Sequence, residues 1–176
     1  MTKPTTLPDI ADYPARVTVP LRYNDTDRQG HVNNAVFVTL LETGRVRLLY
    51  SGDKGLSPPG TQFVIANLNL DYVAELDWRY PTEVGSGIAK IGTSSIQFSQ
   101  MIVQEGKVAG RAETVIVLMD DKTRKATPIP DETRALLRQS ATVLDTSYEV
   151  GLSGPARLHD LFLDAFSHVE GLVPED

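Results

Sequence analysis

The stretch Arg22-Tyr23-Asn24-Asp25-Thr26-Asp27-Arg28-Gln29-Gly30-His31-Val32-Asn33-Asn34, running into AVFVTLLETGRVRLLY at 35–50, decides how this chain folds. The first part is dense in Asn, Asp and Gly, the residues of turns. It closes on Asn33 and Asn34, whose side-chain oxygens suit the N-cap of a helix. Ala35 to about Tyr50 then reads as that helix. Phe37, Leu40, Leu41 and Leu48 make one apolar side, and Val36, Val38, Val46 and Leu49 widen it. A helix apolar around so much of its girth is expected to be buried on most faces.

Upstream, ARVTVPLRY (15–23) alternates Val17, Val19 and Leu21 as a strand does, with Pro20 marking an edge or a bulge. Residues 1–14, with Pro4, Pro8 and Pro14, read as an N-terminal arm. Downstream, SGDKGLSPPG breaks the helix. Four strands are expected after it: TQFVIANLNLDYV (61–73), EVGSGIAKIG (83–92), SSIQFSQMIVQE (94–105) and KVAGRAETVIVLMD (107–120). The links Gly92-Thr93-Ser94 and Glu105-Gly106-Lys107 are tight hairpin signals, whereas AELDWRYPT is a longer crossing. One buried helix followed by an antiparallel meander predicts an α+β domain over 15–143, its sheet wrapped around the helix. Asp131 to about Val143 reads as a short helix begun after Pro130. Residues 144–176 form a C-terminal extension. Within it, ARLHDLFLDAFSHV (156–169) has an amphipathic pattern suited to packing on the sheet or on a neighbouring subunit.

Composition narrows the chemistry. No cysteine is present, which removes disulfides, a thiolate nucleophile and cysteine-ligated zinc together. The three histidines, at 31, 159 and 168, are too far apart for a local metal motif, and no metal site is expected. The formal charge of −6 argues against nucleic acid as a main partner. No run of about 18 apolar residues exists to span a membrane, and the first residues lack the apolar core of a secretory signal. The cytoplasm is therefore the expected location.

The segment 22–34, with Phe37 and the Glu42-x-x-Arg45 spacing, resembles the signature of the 4-hydroxybenzoyl-CoA thioesterase family: an Asp, three residues, then His-Val-Asn-Asn. Leu70-Asp71-Tyr72, Gly92-Thr93-Ser94-Ser95-Ile96, Thr114-Val115-Ile116-Val117 and Pro128-Ile129-Pro130 extend the likeness over roughly residues 15–140. Position 37 departs from it, with Phe where the family often has Tyr. The resemblance implies a hotdog fold, a five-stranded antiparallel sheet around the central helix. It also implies hydrolysis of an acyl-CoA, or an acyl carrier protein thioester, to free acid and thiol. Homodimers or homotetramers with sheets joined edge to edge are implied as well, and no cofactor, since CoA is part of the substrate.

Thioester hydrolysis needs a nucleophile or base and a trap for the developing oxyanion. By resemblance Asp27 is the carboxylate, acting as nucleophile or as base toward water. The N–H groups near Asn33 and Asn34, at the positive end of the helix, would polarise the carbonyl. Each residue also has a plainer reading. Asp27 can serve as a turn residue bonding its own loop. His31 orders the loop or borders the pocket, with acid–base work as the sharper alternative. Gly30 and Phe37 are expected beside the substrate. Glu42 matches the helix glutamate of another thioesterase subtype, but an ion pair with Arg45 is the simpler expectation. Ser94 and Ser95 bind CoA or a carbonyl, or merely shape a hairpin. Arg111, Lys122, Arg124 and Lys125 are candidates for CoA phosphates, and Trp78 and Tyr80 line an acyl pocket or an oligomer contact. Two rivals remain open. One is a hydratase or dehydratase acting on enoyl-CoA through a His–Asp pair. The other is a non-catalytic acyl-CoA binder.

Overall fold

The expected central helix forms as α1, Asn34–Leu49, in the computed structural model, which describes residues 9–50 and 55–140. Asn33 caps it, its side-chain oxygen accepting from the Ala35 amide at 2.9 Å. Such a cap contributes about 1 kcal/mol. Around α1 lie β1 (Ala15–Val19), β2 (Thr61–Tyr72), β3 (Thr82–Ile91), β4 (Ser95–Gln104) and β5 (Lys107–Asp120). All pairs are antiparallel, in the order β1-β3-β4-β5-β2. The β4–β5 hairpin turns through Glu105 (φ 48°) and Gly106 (φ 74°), both left-handed, as the twist of a two-residue connection requires. The β3–β4 turn is closed by the Gly92 amide on the Ser95 carbonyl at 2.8 Å. The five-stranded sheet around a helix is thus the architecture expected from the sequence.

Three local expectations are corrected. The first strand ends at Val19 instead of running to 23, because Pro20 has no N–H to donate to a ladder. Tyr23–Asp25 forms a 3-10 turn in its place, and Leu21 still packs against the core. Second, α1 is not buried on most faces: Thr39, Glu42, Val46 and Arg47 are exposed. A single sheet layer covers only the side carrying Phe37, Leu40, Leu41, Gly44, Arg45, Leu48 and Leu49. Third, Arg45 does not reach out to Glu42. Its Nη1 turns inward and donates to Gln100 Oε1 at 2.9 Å and Thr114 Oγ1 at 3.3 Å. Gln100 in turn donates to the Leu41 carbonyl and Ser86 Oγ, both at 2.8 Å. Burial holds the Arg45 pKa below its ordinary value, with the Glu42 charge acting in the other direction.

The core divides along α1. Around its first half sit Val32, Phe37, Leu40, Leu41, Leu76, Val84, Ile102, Ala109 and Ala112. Around its second half sit Leu48, Leu49, Ile88, Ile96, Phe98, Ile116 and Leu118, closed off by Ile129 and Leu137. Leu137 belongs to α2, described as Asp131–Ser140. The helix approaches the sheet most closely at Gly44. A Cβ there would collide with Ser86 Oγ and come within 2.9 Å of Val84 Cγ1. Of the N-terminal arm, residues 9–14 lie on the opposite face of the sheet, where Tyr13 packs with Met101 and Val103. The expected helix at 156–169 lies outside the described residues. Among the described residues, no helix is long and apolar enough to cross a membrane.

Candidate active site

The loop between β1 and α1 is built from aspartates bonding their own backbone. Asp25 Oδ2 accepts from the Arg22 amide at 2.7 Å and Oδ1 from the Arg22 guanidinium at 2.9 Å. The guanidinium bond is the main reason its pKa lies below the usual carboxylate value. The Asn33 amide donates to the Asp25 carbonyl at 2.8 Å, tying that turn to the start of α1. Asp27 closes the next turn. Its amide donates to the His31 carbonyl at 2.7 Å, and its carbonyl accepts from the Gly30 amide at 3.1 Å. Gly30 has φ 87°, a left-handed conformation that glycine adopts without strain.

The Asp27 side chain is exposed and oriented. Its Oδ1 accepts from the amides of Gln29 at 2.8 Å and His31 at 3.1 Å. Its Oδ2 has no hydrogen-bond partner among the described residues. At the start of α1, the Asn33 amide is bonded to Asp25, the Ala35 amide to Asn33 Oδ1 and the Val36 amide to the Asn33 carbonyl. The Asn34 amide has no acceptor among the described residues, so it is the donor left over at the positive end of the helix. Phe37 lies one turn further in, buried, its ring edge-on to Tyr72 with centroids 5.1 Å apart. Tyr72 donates to the Asn34 carbonyl at 3.3 Å. A hydroxyl from β2 thus bonds the helix start beside the Phe37 ring.

A cleft of about 620 Å³ opens beside this loop, lined in part by Gly30, His31, Trp78 and Lys107. Its far wall is the crossing from β2 to β3, fixed at several points. The register of the β4–β5 ladder shifts by one residue at Ala109, and the Ala109 carbonyl accepts from the amides of Val73 (2.9 Å) and Ala74 (3.1 Å). Buried Gln104 accepts from the Asp77 amide at 2.8 Å and donates to the carbonyls of Asp77 (2.9 Å) and Tyr80 (2.8 Å). Asp77 binds the Arg79 guanidinium through both oxygens. That hydrogen bonding pulls the Asp77 pKa down to about 2. Trp78 stands edge-on to Tyr23, with centroids 5.5 Å apart and planes at 80°. His31 Nε2 lies 3.6 Å from Glu75 Oε2 across the cleft.

Residues 21–137, about two thirds of the chain, match the model of the thioesterase-like superfamily. This chain belongs to that superfamily. It is 27% identical over 128 residues to an acyl-CoA thioester hydrolase, YbgC, of Escherichia coli, covering 70% of this chain and 96% of the relative. A thioesterase of Thermus thermophilus, solved in complex with coenzyme A and zinc, is similar in structure: TM-score 0.65, 28% identity, 73% of this chain and 95% of that one. A predicted thioesterase of Bacillus stearothermophilus is similar at TM-score 0.63 and 28% identity, covering 72% and 96%.

Within this thioesterase-like domain the expected site residues fall into three groups. Asp27, Gly30, His31, Asn33, Asn34 and Phe37 come together where α1 begins. Ser94 and Ser95 do not join them: their hairpin adjoins the other end of α1, where the Leu118 amide donates to the Ser94 carbonyl at 2.8 Å. Sixteen residues of helix span about 24 Å. Glu42 lies midway along α1 on its exposed side, away from both ends. Of the candidate phosphate binders, Lys122, Arg124 and Lys125 are exposed in the turn after β5, while Arg111 sits on the β5 face opposite α1. Among the described residues, no cluster of three or more His, Asp or Glu side chains is placed to hold a metal. Local reading of the sequence missed Gln104, Ala109 and Glu75. Their partners lie far along the chain, so no local pattern carries the signal.

Proposed function

We propose that this chain is an acyl-CoA thioester hydrolase in which Asp27 and the Asn34 amide act on opposite ends of one reaction. The observation that carries this reading is the pairing of a carboxylate held through Oδ1, with Oδ2 left over, and an unbonded helix-start amide seven residues later. The thioester carbonyl oxygen rests on the Asn34 amide as it gains negative charge. Asp27 Oδ2 either attacks the carbonyl carbon or takes a proton from a water that does. The C–S bond then breaks, and the thiolate leaves to be protonated as CoA; if Asp27 attacked, water then hydrolyses the resulting acyl–Asp27 anhydride to free acid and carboxylate, and if water attacked, the free acid forms directly. His31 fixes the Asp27 side chain through its amide, and Asn33 holds the helix start in place.

Association as a homodimer accompanies this reading. β2 is a twelve-residue edge strand with Ile65 and Tyr72 exposed, and an unpaired edge of that length invites a second copy. The partner would also cover the open side of the Asp27 loop. Thiol release from a panel of acyl-CoA and acyl carrier protein thioesters, run with wild type and Asp27→Asn side by side, tests the reaction. Turnover by the wild type and its near-abolition in the variant are expected. Equal turnover by both would remove Asp27 from the mechanism. Water addition to an enoyl-CoA without thiol release would replace the hydrolase with a hydratase.

A further inference from the structure

The tip of the Asp27 loop is ordered mainly by its own hydrogen bonds. Asp27, Arg28, Gln29, Gly30 and His31 are all exposed, and a Cβ added at Gly30 would meet open space. His31 is tied to Asp27 through both of its backbone groups. Its amide donates to Asp27 Oδ1 at 3.1 Å, and its carbonyl accepts from the Asp27 amide at 2.7 Å. The imidazole crosses to the opposite wall, where Nε2 lies 3.6 Å from Glu75 Oε2. Whatever steadies the His31 side chain therefore steadies a donor that aims the proposed catalytic carboxylate.

The opposite wall is the firmer of the two. Glu75 stands between Ala74, whose amide donates to the Ala109 carbonyl at 3.1 Å, and Leu76, buried in the core around the first half of α1. Asp77 beyond it is held by Gln104. Among the described residues, Glu75 is the one carboxylate within 4 Å of a His31 nitrogen. The other charged groups lining the cleft are Asp77, Arg79, Glu105 and Lys107, of which Asp77 and Arg79 neutralise each other. Asp27 and Arg28 neighbour His31 on its own loop.

We propose that Glu75 is a positioning residue for the reaction: it holds the His31 side chain, and through the His31 amide the Asp27 carboxylate, whenever the imidazole is protonated. The proposal rests on the thioester hydrolase reading and adds a dependence on pH to it. An imidazole changes charge within about pH 5–8. At the lower end of that range imidazolium and carboxylate attract, and the loop tip is held from both walls. At the upper end the imidazole is neutral, the attraction falls away, and the tip is left to its own hydrogen bonds. Both side chains are exposed, 48% and 75%, so solvent and salt screen the pair and its effect is modest.

Glu75→Gln keeps the size of the side chain and removes its charge. Thiol release by wild type and this variant is compared at low ionic strength across the range in which an imidazole titrates. The variant is expected to have kcat about two- to fivefold below wild type at about pH 5.5, the worth of an exposed ion pair, with KM unchanged, and to match wild type at about pH 8.5. In a His31→Asn background the same substitution should change nothing at any pH. No loss at the acidic end, an equal loss at both ends, a loss that persists without His31, or an effect confined to KM overturns the assignment. The Gln29 amide, which also donates to Asp27 Oδ1, reports the loop without turnover. Its nuclear magnetic resonance signal should move across about pH 5–8 in wild type and much less in Glu75→Gln, and equal movement in both also overturns the proposal. That contrast in a protein that releases thiol from no acyl-CoA would end the hydrolase reading and leave the Glu75 contact standing.

Discussion

The two ends of α1 are built on opposite plans. At its start the chain is exposed from Asp27 to His31, and the loop is ordered by hydrogen bonds from its own amides to Asp25 and Asp27. At its finish Leu48 and Leu49 are sealed among Ile88, Phe98, Ile116, Leu118, Ile129 and Leu137. Apolar burial contributes about 25 cal/mol per Å² and fixes the helix without directing any chemistry. Loop hydrogen bonds contribute far less to stability but aim a carboxylate and leave one amide unbonded. The helix is thus anchored by apolar packing at one end and left exposed at the other.

Substitutions at the two ends separate activity from stability. Asp27→Asn has the largest expected effect. It should lower kcat by about 10²–10⁴-fold, the usual worth of a positioned acid–base group. The asparagine oxygen still accepts from Gln29 and His31, so thermal unfolding should hardly move. A melting temperature that falls along with kcat would mean the carboxylate serves the loop and not the reaction. Leu48→Ala inverts the pattern. Deleting a buried leucine costs about 2–5 kcal/mol by denaturant unfolding, with kcat/KM near wild type below the transition.

The midpoint of the helix probes how tightly the two ends are coupled. Gly44→Ala pushes α1 off Ser86 and Val84, costing about 1–3 kcal/mol from overpacking, offset by up to about 1 kcal/mol of helix propensity. A gain in stability there would show that the helix floats on the sheet. Asn33→Ala removes the cap and should cost about 1 kcal/mol. Because the cap also sets where the Asn34 amide points, kcat should fall further than stability does.

The smallest effect concerns the cleft wall and depends on pH. Asp77, ordinarily near 3.8, is held at about 2 by Arg79. A carboxylate depressed in the folded state stabilises fully above its unfolded pKa and loses that contribution as pH falls toward the folded value. The crossing loop should therefore be unaffected at pH 5 and loosen between about pH 4 and 2. Trp78 emission followed during acid titration checks this, and Asp77→Asn should flatten that part of the profile.

Much of this was legible along the chain. The alternation of residues 107–120 marked β5 with its observed bounds, and the two-residue turn through Glu105 and Gly106 was visible because only certain residues tolerate positive φ. Asn33 as a cap and the turn joining Asp27, Gly30 and His31 were legible for a similar reason: the cap bond and the bonds that Asp27 makes within its loop span four residues or fewer. Arg45 was misjudged because a spacing of three favours Glu42 only on an open surface. Gln100 and Thr114, arriving from β4 and β5, offered a buried alternative.

Sequence by itself determined the local elements and the turn chemistry, since each follows from neighbours within a turn or two. Only the tertiary structure decided which side of α1 is covered, that Ser94 and Ser95 stand at the end away from Asp27, and that Gln104 and Ala109 hold Trp78 beside His31. Those outcomes depend on residues dozens of positions apart meeting through the sheet. Strand order and a one-residue shift at Ala109 settle them, and neither leaves a mark on short-range pattern.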